Sequence, residues 1–216
     1  MRGHIAGLAR AIAALLLAAG AASALAGAQK YEPLADSVRN ALHSAISDQA
    51  PQDPIFPSTE EKIAWLTGMS QRLVKKIPDG NERLDFLKAV HYEATRAGLD
   101  PQLVLGLIQV ESNFRKHAVS TAGARGYMQV MPFWTGFIGA KGDNLFHLRT
   151  NLRYGCTILR HYLDIEQGDV FRALGRYNGS LGQADYPRAV EHAWKSAWDF
   201  RFRPSGSAGG AMSGKL

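Results

Sequence analysis

One glutamate, Glu111, stands where a charged side chain is not expected. The segment that begins at Pro101 has helical periodicity, and Glu111 follows three of its apolar residues at distances of seven, four and three positions. These residues are Val104, Leu107 and Ile108. The spacing puts the carboxyl group on the apolar face of a helix. Burial there raises the pKa of a carboxyl group, and the negative end of the helix dipole acts in the same direction. A carboxyl group that keeps its proton near neutral pH is suited to general acid catalysis of glycosidic cleavage.

A structural role for Glu111 is the alternative. A basic side chain nearby in the sequence, Arg115 or Arg125, could neutralise a buried carboxylate. The position of Glu111 on its helix leaves both interpretations open. The segments around it decide between them.

Four short motifs occur in order along the chain. They are E-S-N-F at 111–114, A-V-S at 118–120, G-A-R-G-Y-M-Q-V-M-P at 123–132 and Y-N-G at 177–179. Together they closely resemble the soluble lytic transglycosylase family, whose catalytic unit is the lysozyme-like transglycosylase SLT domain. The resemblance covers roughly residues 79–198. It implies an all-α fold and an enzyme that cleaves the glycan strands of bacterial peptidoglycan.

The resemblance also assigns roles to individual residues. Glu111 matches the catalytic acid, and Tyr177 matches the tyrosine whose hydroxyl holds that acid. The expected substrate-binding residues are Ser112, Gly126, Tyr127, Met128, Gln129 and Asn178. A bare glycine lets a sugar approach the backbone, and a glutamine side chain can pair with sugar hydroxyls or an acetamido group. Tyr127 replaces the usual leucine of the motif, which leaves the subsite preferences open.

The implied reaction uses one carboxyl group. Ordinary glycosidases use two, and the four candidate aspartates for a second role sit in no recognisable motif; they are Asp143, Asp164, Asp169 and Asp185. The resemblance implies non-hydrolytic cleavage of the β-1,4 bond between N-acetylmuramic acid and N-acetylglucosamine, with formation of 1,6-anhydro ends. Two alternatives remain: a lysozyme-type hydrolase on the same fold, and a catalytically idle peptidoglycan-binding or scaffold protein of an envelope machine.

Other residue types give little sign of further chemistry. The seven histidines form no i, i+4 pair and no Cys/His cluster, so we expect no metal. The reaction that the resemblance implies needs no cofactor. Cys156 lies on an apolar stripe and is expected in the core. Trp134 has two interpretations, a core residue or an aromatic face for a sugar ring.

The first 28 residues have the pattern of a secretory signal peptide. A basic start and a short apolar run precede three A-x-A sites, the last of which ends at Ala28. The alternative is a membrane anchor that is retained. Export predicts a periplasmic protein without stable membrane insertion after cleavage.

The formal charge of +6 falls to +4 when the signal, with its two arginines and no acids, is removed. A basic exported protein suits anionic peptidoglycan. The chain has no dense run of Lys and Arg, which argues against nucleic acid as its partner.

The rest of the chain is predicted as helices separated by Pro and Gly. Residues 29–78 form a helical N-terminal extension with a Pro-rich linker, 79–200 the catalytic domain and 201–216 a flexible tail. Two roles of the extension remain open: it docks a protein partner in an envelope or secretion complex, or it packs against the saccharide groove. Ser58, Asp100 and Asp169 are predicted helix N-caps. The apolar stripe of the helix after Ser58 is predicted as Ile63, Leu66, Met69 and Leu73.

Overall fold

The computed structural model describes residues 29–47, 54 and 56–204. The predicted signal peptide and residues 205–216 of the predicted tail lie outside them. The helices of the described part are α1 (Asp36–Ser47), α2 (Thr59–Leu73), α3 (Gly80–Arg96), α4 (Pro101–Ser112), α5 (Phe133–Ile138), α6 (Leu148–Ile165), α7 (Val170–Asn178) and α8 (Asp185–Ala193), which continues into a π-helix (Trp194–Trp198). Isolated bridges at 119–130 are the only extended pairing among these residues. The all-α prediction is confirmed.

Helix starts follow the predicted caps. The side chains of Ser58, Asp100 and Asp169 accept backbone N–H groups two or three residues ahead, at 3.1, 2.7 and 3.0 Å. Each bond satisfies a donor that the first turn of a helix leaves open. None of the helices within the described ranges is both long and apolar enough to cross a bilayer.

The predicted apolar stripe of α2 is partly wrong. Met69 and Leu73 are fully buried and Leu66 packs partly against the core, but Ile63 is 61% exposed. Trp65 is buried in its place. Trp65, Met69 and Leu73 are four positions apart, so they lie on one side of the helix. Helical periodicity is therefore equally compatible with this set and with the predicted one. The larger apolar surface of the tryptophan ring favours this orientation.

The N-terminal extension packs directly on the rest of the fold. Helix α1 lies against α5 and α6, and α2 lies against α3. The division into an extension and a catalytic domain at residue 79 stays a prediction.

Helix α4 crosses the start of the π-helix at very short range. A Cβ atom on Gly106 would lie 2.8 Å from the backbone nitrogen of Trp194, which is closer than real Cβ atoms approach other heavy atoms. Glycine at this position therefore lets two backbones touch. The contact fixes α4 against α8, and with it the last turn of α4, where Glu111 lies.

A buried ion pair joins three helices. Glu93 of α3 is 0% exposed and accepts hydrogen bonds from Arg153 of α6 at 3.0 Å and from Arg96 at 3.1 Å. The Arg153 guanidinium also donates to the carbonyl oxygen of Ile46, in the last turn of α1, at 3.4 Å. One arginine thus connects the N-terminal extension to the interior of the molecule.

We expect Glu93→Leu to destabilise the protein by about 3–5 kcal/mol, because it leaves Arg153 buried without its counter-charge. The double variant Glu93→Leu/Arg153→Met should recover most of that loss. The measurement is the free energy of unfolding from urea denaturation.

The exposed pair of Arg39 and Asp36 is the control, since Asp36→Ala should change stability by less than about 1 kcal/mol. A double variant no more stable than Glu93→Leu alone would contradict this account of the Glu93–Arg153 pair.

Candidate active site

Glu111 is buried and held by a tyrosine. Its side chain lies in the last turn of α4 and is 3% exposed. The hydroxyl of Tyr186, in the first turn of α8, donates to Glu111 Oε1 at 2.5 Å. Burial and the neighbouring Glu111 carboxylate raise the pKa of Tyr186 well above its ordinary value. Tyr186 therefore remains a hydrogen-bond donor over the whole range in which a carboxyl group titrates.

The chain reverses directly after this carboxyl group. Asn113 and Phe114 have φ angles of 50° and 64°, in the left-handed region. Asparagine tolerates that conformation, but phenylalanine rarely adopts it. The Phe114 ring is buried against Phe86 and Trp198, with centroid distances of 5.9 and 5.2 Å, and this packing holds the reversal.

The Ser112 side chain forms a hydrogen bond within its own helix. Its hydroxyl donates to the carbonyl oxygen of Ile108 at 3.2 Å, and the residue is 1% exposed. The two arginines suggested as neutralising partners of Glu111 make other contacts. Arg115 donates to the Ser112 carbonyl oxygen, and Arg125 lies over the Phe146 ring at 5.9 Å.

The loop at 123–132 is fixed from within by one asparagine of α6. Asn151 accepts a hydrogen bond from the Met128 N–H at 2.8 Å and donates to the carbonyl oxygens of Arg125 and Leu145 at 2.8 and 2.9 Å. Gly126 has a φ of 76°, and a Cβ atom there would lie 2.5 Å from Asn151. The glycine is therefore required by the protein's own packing, a reason that the sequence interpretation did not include.

Gln129 also serves the loop internally. It is 1% exposed with a φ of 49°, and its Nε2 donates to the carbonyl oxygens of Gly126 and Ala118 at 2.9 and 3.1 Å. The donor side of the amide, predicted to meet sugar groups, is thus engaged by backbone.

Two further predicted substrate residues face the core. Tyr127 is 3% exposed and packs on Phe86 with ring centroids 4.9 Å apart, and burial raises its pKa to about 12. Met128 is fully buried against Gly155, where a Cβ atom would overlap its sulfur. Little of the Tyr127 surface and none of the Met128 surface is exposed, so their role in substrate binding stays a prediction.

Tyr177 supports the loop rather than the carboxyl group. Its hydroxyl donates to the carbonyl oxygen of Met128 at 2.8 Å. The hydrogen bond to Glu111 that the resemblance assigned to it is made by Tyr186. Burial is the main cause that raises the pKa of Tyr177 well above its ordinary value, followed by Glu111, and Gln29 lowers it. The charge of the nearby Glu111 carboxylate thus contributes to the raised pKa of Tyr177.

Asn178 follows Tyr177 at the end of α7. It is 5% exposed and its Nδ2 donates to Ser180 at 3.1 Å. Gly179, with a φ of 76°, ends the helix. The Y-N-G motif is therefore a helix-ending turn, as well as the place of two candidate site residues.

Three contributors to the site were missed from the sequence: Tyr186, Asn151 and Gln29. Tyr186 precedes a proline early in α8, and no motif marks it. Asn151 is one polar residue in an otherwise ordinary helical stripe. Gln29 lies outside the recognised motifs, more than a hundred positions before its partner Trp134. Trp134 itself is 2% exposed, which favours the core interpretation of this residue.

The described residues contain no cluster of three or more His, Cys, Asp or Glu side chains that could hold a metal ion. Cys156 is fully buried, as predicted, and burial raises the pKa of its thiol well above the usual value.

A family comparison agrees with this geometry. The model of the transglycosylase SLT domain matches residues 88–196, half of the chain, including Glu111, the loop and Tyr186. The chain belongs to this family. The region before α3 lies outside the matched SLT domain.

Curated relatives share parts of this domain. A transglycosylase of Enterobacteria phage PRD1 is 34% identical over 103 residues, which cover 48% of this chain and 38% of the phage protein. Membrane-bound lytic murein transglycosylase C of Mannheimia succiniciproducens is 43% identical over 51 residues, and that of Actinobacillus pleuropneumoniae serotype 5b is 47% identical over 51. The aligned part spans 14% of each of these two relatives.

We expect Asn151→Ala to destabilise the protein by about 2–3 kcal/mol, because it leaves buried backbone groups of the loop without partners. The measurement is urea denaturation. Asn144→Ala is the control, since the side chain of this exposed asparagine accepts a hydrogen bond from the nearby Phe146 N–H and none of the loop's buried groups depends on that bond. Equal stability of the two variants would refute the role given to Asn151.

Proposed function

We propose that this SLT-family protein is a peptidoglycan lytic transglycosylase, with Glu111 as its catalytic acid and base. The observation that carries the proposal is a carboxyl group, 3% exposed, whose Oε1 accepts a hydrogen bond from a buried tyrosine. The matched domain includes both residues. The relatives' names, transglycosylase and lytic murein transglycosylase, agree with this activity.

The first step is protonation. Burial disfavours the ionised form of a carboxyl group, so Glu111 is suited to donate a proton to the oxygen that links N-acetylmuramic acid to N-acetylglucosamine. As the bond breaks, the substrate's own acetamido group stabilises the cationic carbon. The hydroxyl of Tyr186 then stabilises the carboxylate that remains on Glu111.

The second step is ring closure. The Glu111 carboxylate takes the proton of the muramic acid C6 hydroxyl, whose oxygen attacks the anomeric carbon and forms the 1,6-anhydro ring. The acid is regenerated and no water is consumed. This route needs no second carboxylate, no metal and no cofactor.

The candidate second carboxylates have other surroundings. Asp143 accepts a hydrogen bond from Tyr154 at 2.5 Å, Asp164 pairs with Arg160, and Asp169 caps α7. Asp185 is exposed and adjacent in sequence to Tyr186. Because Asp185 neighbours the residue that touches Glu111, it is the aspartate that favours the alternative, a lysozyme-type hydrolase.

We expect the wild-type protein to release muropeptides from purified sacculi that are lighter by one water than hydrolytic products. Glu111→Gln should reduce their release by at least about 100-fold, since general acid catalysis contributes roughly that much. Mass spectrometry of the soluble products is the measurement. Asp185→Asn is the matched control and should retain wild-type activity.

Reducing-end products that disappear in both variants would establish the hydrolase instead. Sacculus binding without any product from the wild-type protein would favour a binding or scaffold protein. Wild-type release by Glu111→Gln would rule out the assigned acid.

The two tyrosines should have distinguishable effects. Tyr186→Phe removes a donor to the Glu111 carboxylate, so it should lower kcat and raise the pKa of Glu111, moving the basic limb of the pH–rate profile to higher pH. Tyr177→Phe should weaken activity through the Met128 loop without moving that limb. Rates measured across pH on solubilised glycan strands test both expectations, and an identical shift in the two variants would contradict the separate roles.

The proposed setting follows from the substrate. Peptidoglycan lies outside the inner membrane, and the signal-like pattern of residues 1–28 agrees with periplasmic action. Three of the predicted substrate residues remain part of the proposal. Gly126 and Gln129 shape the 123–132 loop, and Asn178 shapes the turn at the end of α7. In the proposal this loop and this turn line the groove that binds the glycan strand. A protein partner for the N-terminal extension is also a proposal.

A further inference from the structure

The N-terminal arm, residues 29–35, is anchored beside the candidate active site. Gln29 is 4% exposed, and its Oε1 accepts hydrogen bonds from the Met131 N–H at 3.2 Å and from Trp134 Nε1 at 3.0 Å. It also adjoins Tyr177, whose pKa it lowers. One side chain of the arm thus joins the end of the 123–132 loop to α5, the helix that carries Trp134.

A second contact holds the arm further along. Glu32 pairs with Arg176 of α7 at 3.7 Å, and Arg176 also bonds to Glu166. Leu34 packs partly against the core before α1 begins. Buried hydrogen bonds on one side of Tyr31 and an ion pair on the other therefore fix the backbone position of Tyr31 between them.

Tyr31 lies in an exposed aromatic cluster. Tyr31 is 61% exposed, and its ring contacts those of Phe133 and Phe137 at centroid distances of 5.7 and 5.1 Å. Phe133 and Phe137 are themselves only partly buried. Trp134, the aromatic residue that the sequence suggested for sugar stacking, is enclosed beneath them.

We propose that Tyr31 forms a glycan subsite, in which a pyranose ring of the peptidoglycan strand stacks on its exposed face, and that Gln29 positions it. The subsite adjoins the 123–132 loop, because Gln29 accepts a hydrogen bond from the Met131 N–H and Phe133 follows Met131 by two residues. This inference rests on the proposed function, and it adds a substrate contact from a region outside the matched SLT domain.

The chemistry of the cluster fits a sugar. Aromatic rings present a negative face to the polarised C–H groups of a pyranose. The three rings carry no charge, so they match the uncharged face of a glycan better than the anionic peptide stems. Exposed apolar surface next to a catalytic groove is also a usual sign of ligand binding.

The test is equilibrium binding of peptide-free glycan strands of alternating N-acetylglucosamine and N-acetylmuramic acid. The parent protein carries Glu111→Gln, so that binding is measured without cleavage. Added Tyr31→Ala should weaken binding roughly fivefold, as expected for the loss of one aromatic contact. Tyr31→Phe should bind like the parent, because the ring is retained. Ile63→Ala, at a residue of equal exposure, should have no effect.

The role of Gln29 is tested by a double-mutant cycle. Gln29→Ala should weaken binding about as much as Tyr31→Ala, and the double variant should lose little more, since each change removes the same contact. Intrinsic tryptophan fluorescence, to which Trp134 is one of four contributors, should change in Gln29→Ala but not in Tyr31→Ala, because only Gln29→Ala removes the hydrogen bond to Trp134 Nε1.

Equal affinity of the parent and the Tyr31→Ala variant would overturn the subsite and leave the proposed function standing. A loss that Tyr31→Phe shares would also overturn it, since stacking does not need the hydroxyl. Failure of the parent to bind glycan strands at all would overturn both the subsite and the proposed substrate.

Discussion

The three hydrogen bonds of the Asn151 side chain determine where the candidate active site lies. They hold the Met128 N–H and the Arg125 carbonyl oxygen on the surface of α6. The Met128 carbonyl oxygen then becomes the acceptor for Tyr177, which places the end of α7. Because α6 is itself locked to α3 through Arg153 and Glu93, the loop has the rigidity of the core. A binding groove built on such a loop loses little entropy when a substrate is bound.

A second constraint keeps one carboxyl group out of water. Gly106 allows α4 to touch the backbone at Trp194, and the same approach brings Tyr186 of α8 within hydrogen-bond distance of Glu111. A larger residue at 106 would separate the helices and expose the carboxyl group. Burial of Glu111 is thus a property of helix packing, and the same packing provides the hydrogen bond from the Tyr186 hydroxyl to Oε1.

The sequence predicted what local patterns control and missed what distant packing controls. The caps at Ser58, Asp100 and Asp169 follow from residues a few positions apart, and so does the apolar face that holds Glu111. Whether Ile63 or Trp65 of α2 faces the core depends on which neighbour offers space, which periodicity does not specify. The tyrosine at Glu111 was misassigned for a related reason, because a motif gives the order of residues along the chain but not the direction in which each side chain points.

The contacts of the N-terminal arm and of α1 join residues about a hundred positions apart: Gln29 to Trp134, His43 to Ile138, and Ile46 to Arg153. Contacts of such high sequence separation form late in folding, because the loop between the partners must first be closed. The arm is the first described part of the chain to be synthesised, yet its binding surface exists only after α5, α6 and α7 have assembled. The contacts that place Tyr31 would therefore form only when the fold is complete, and a partly folded chain would lack them.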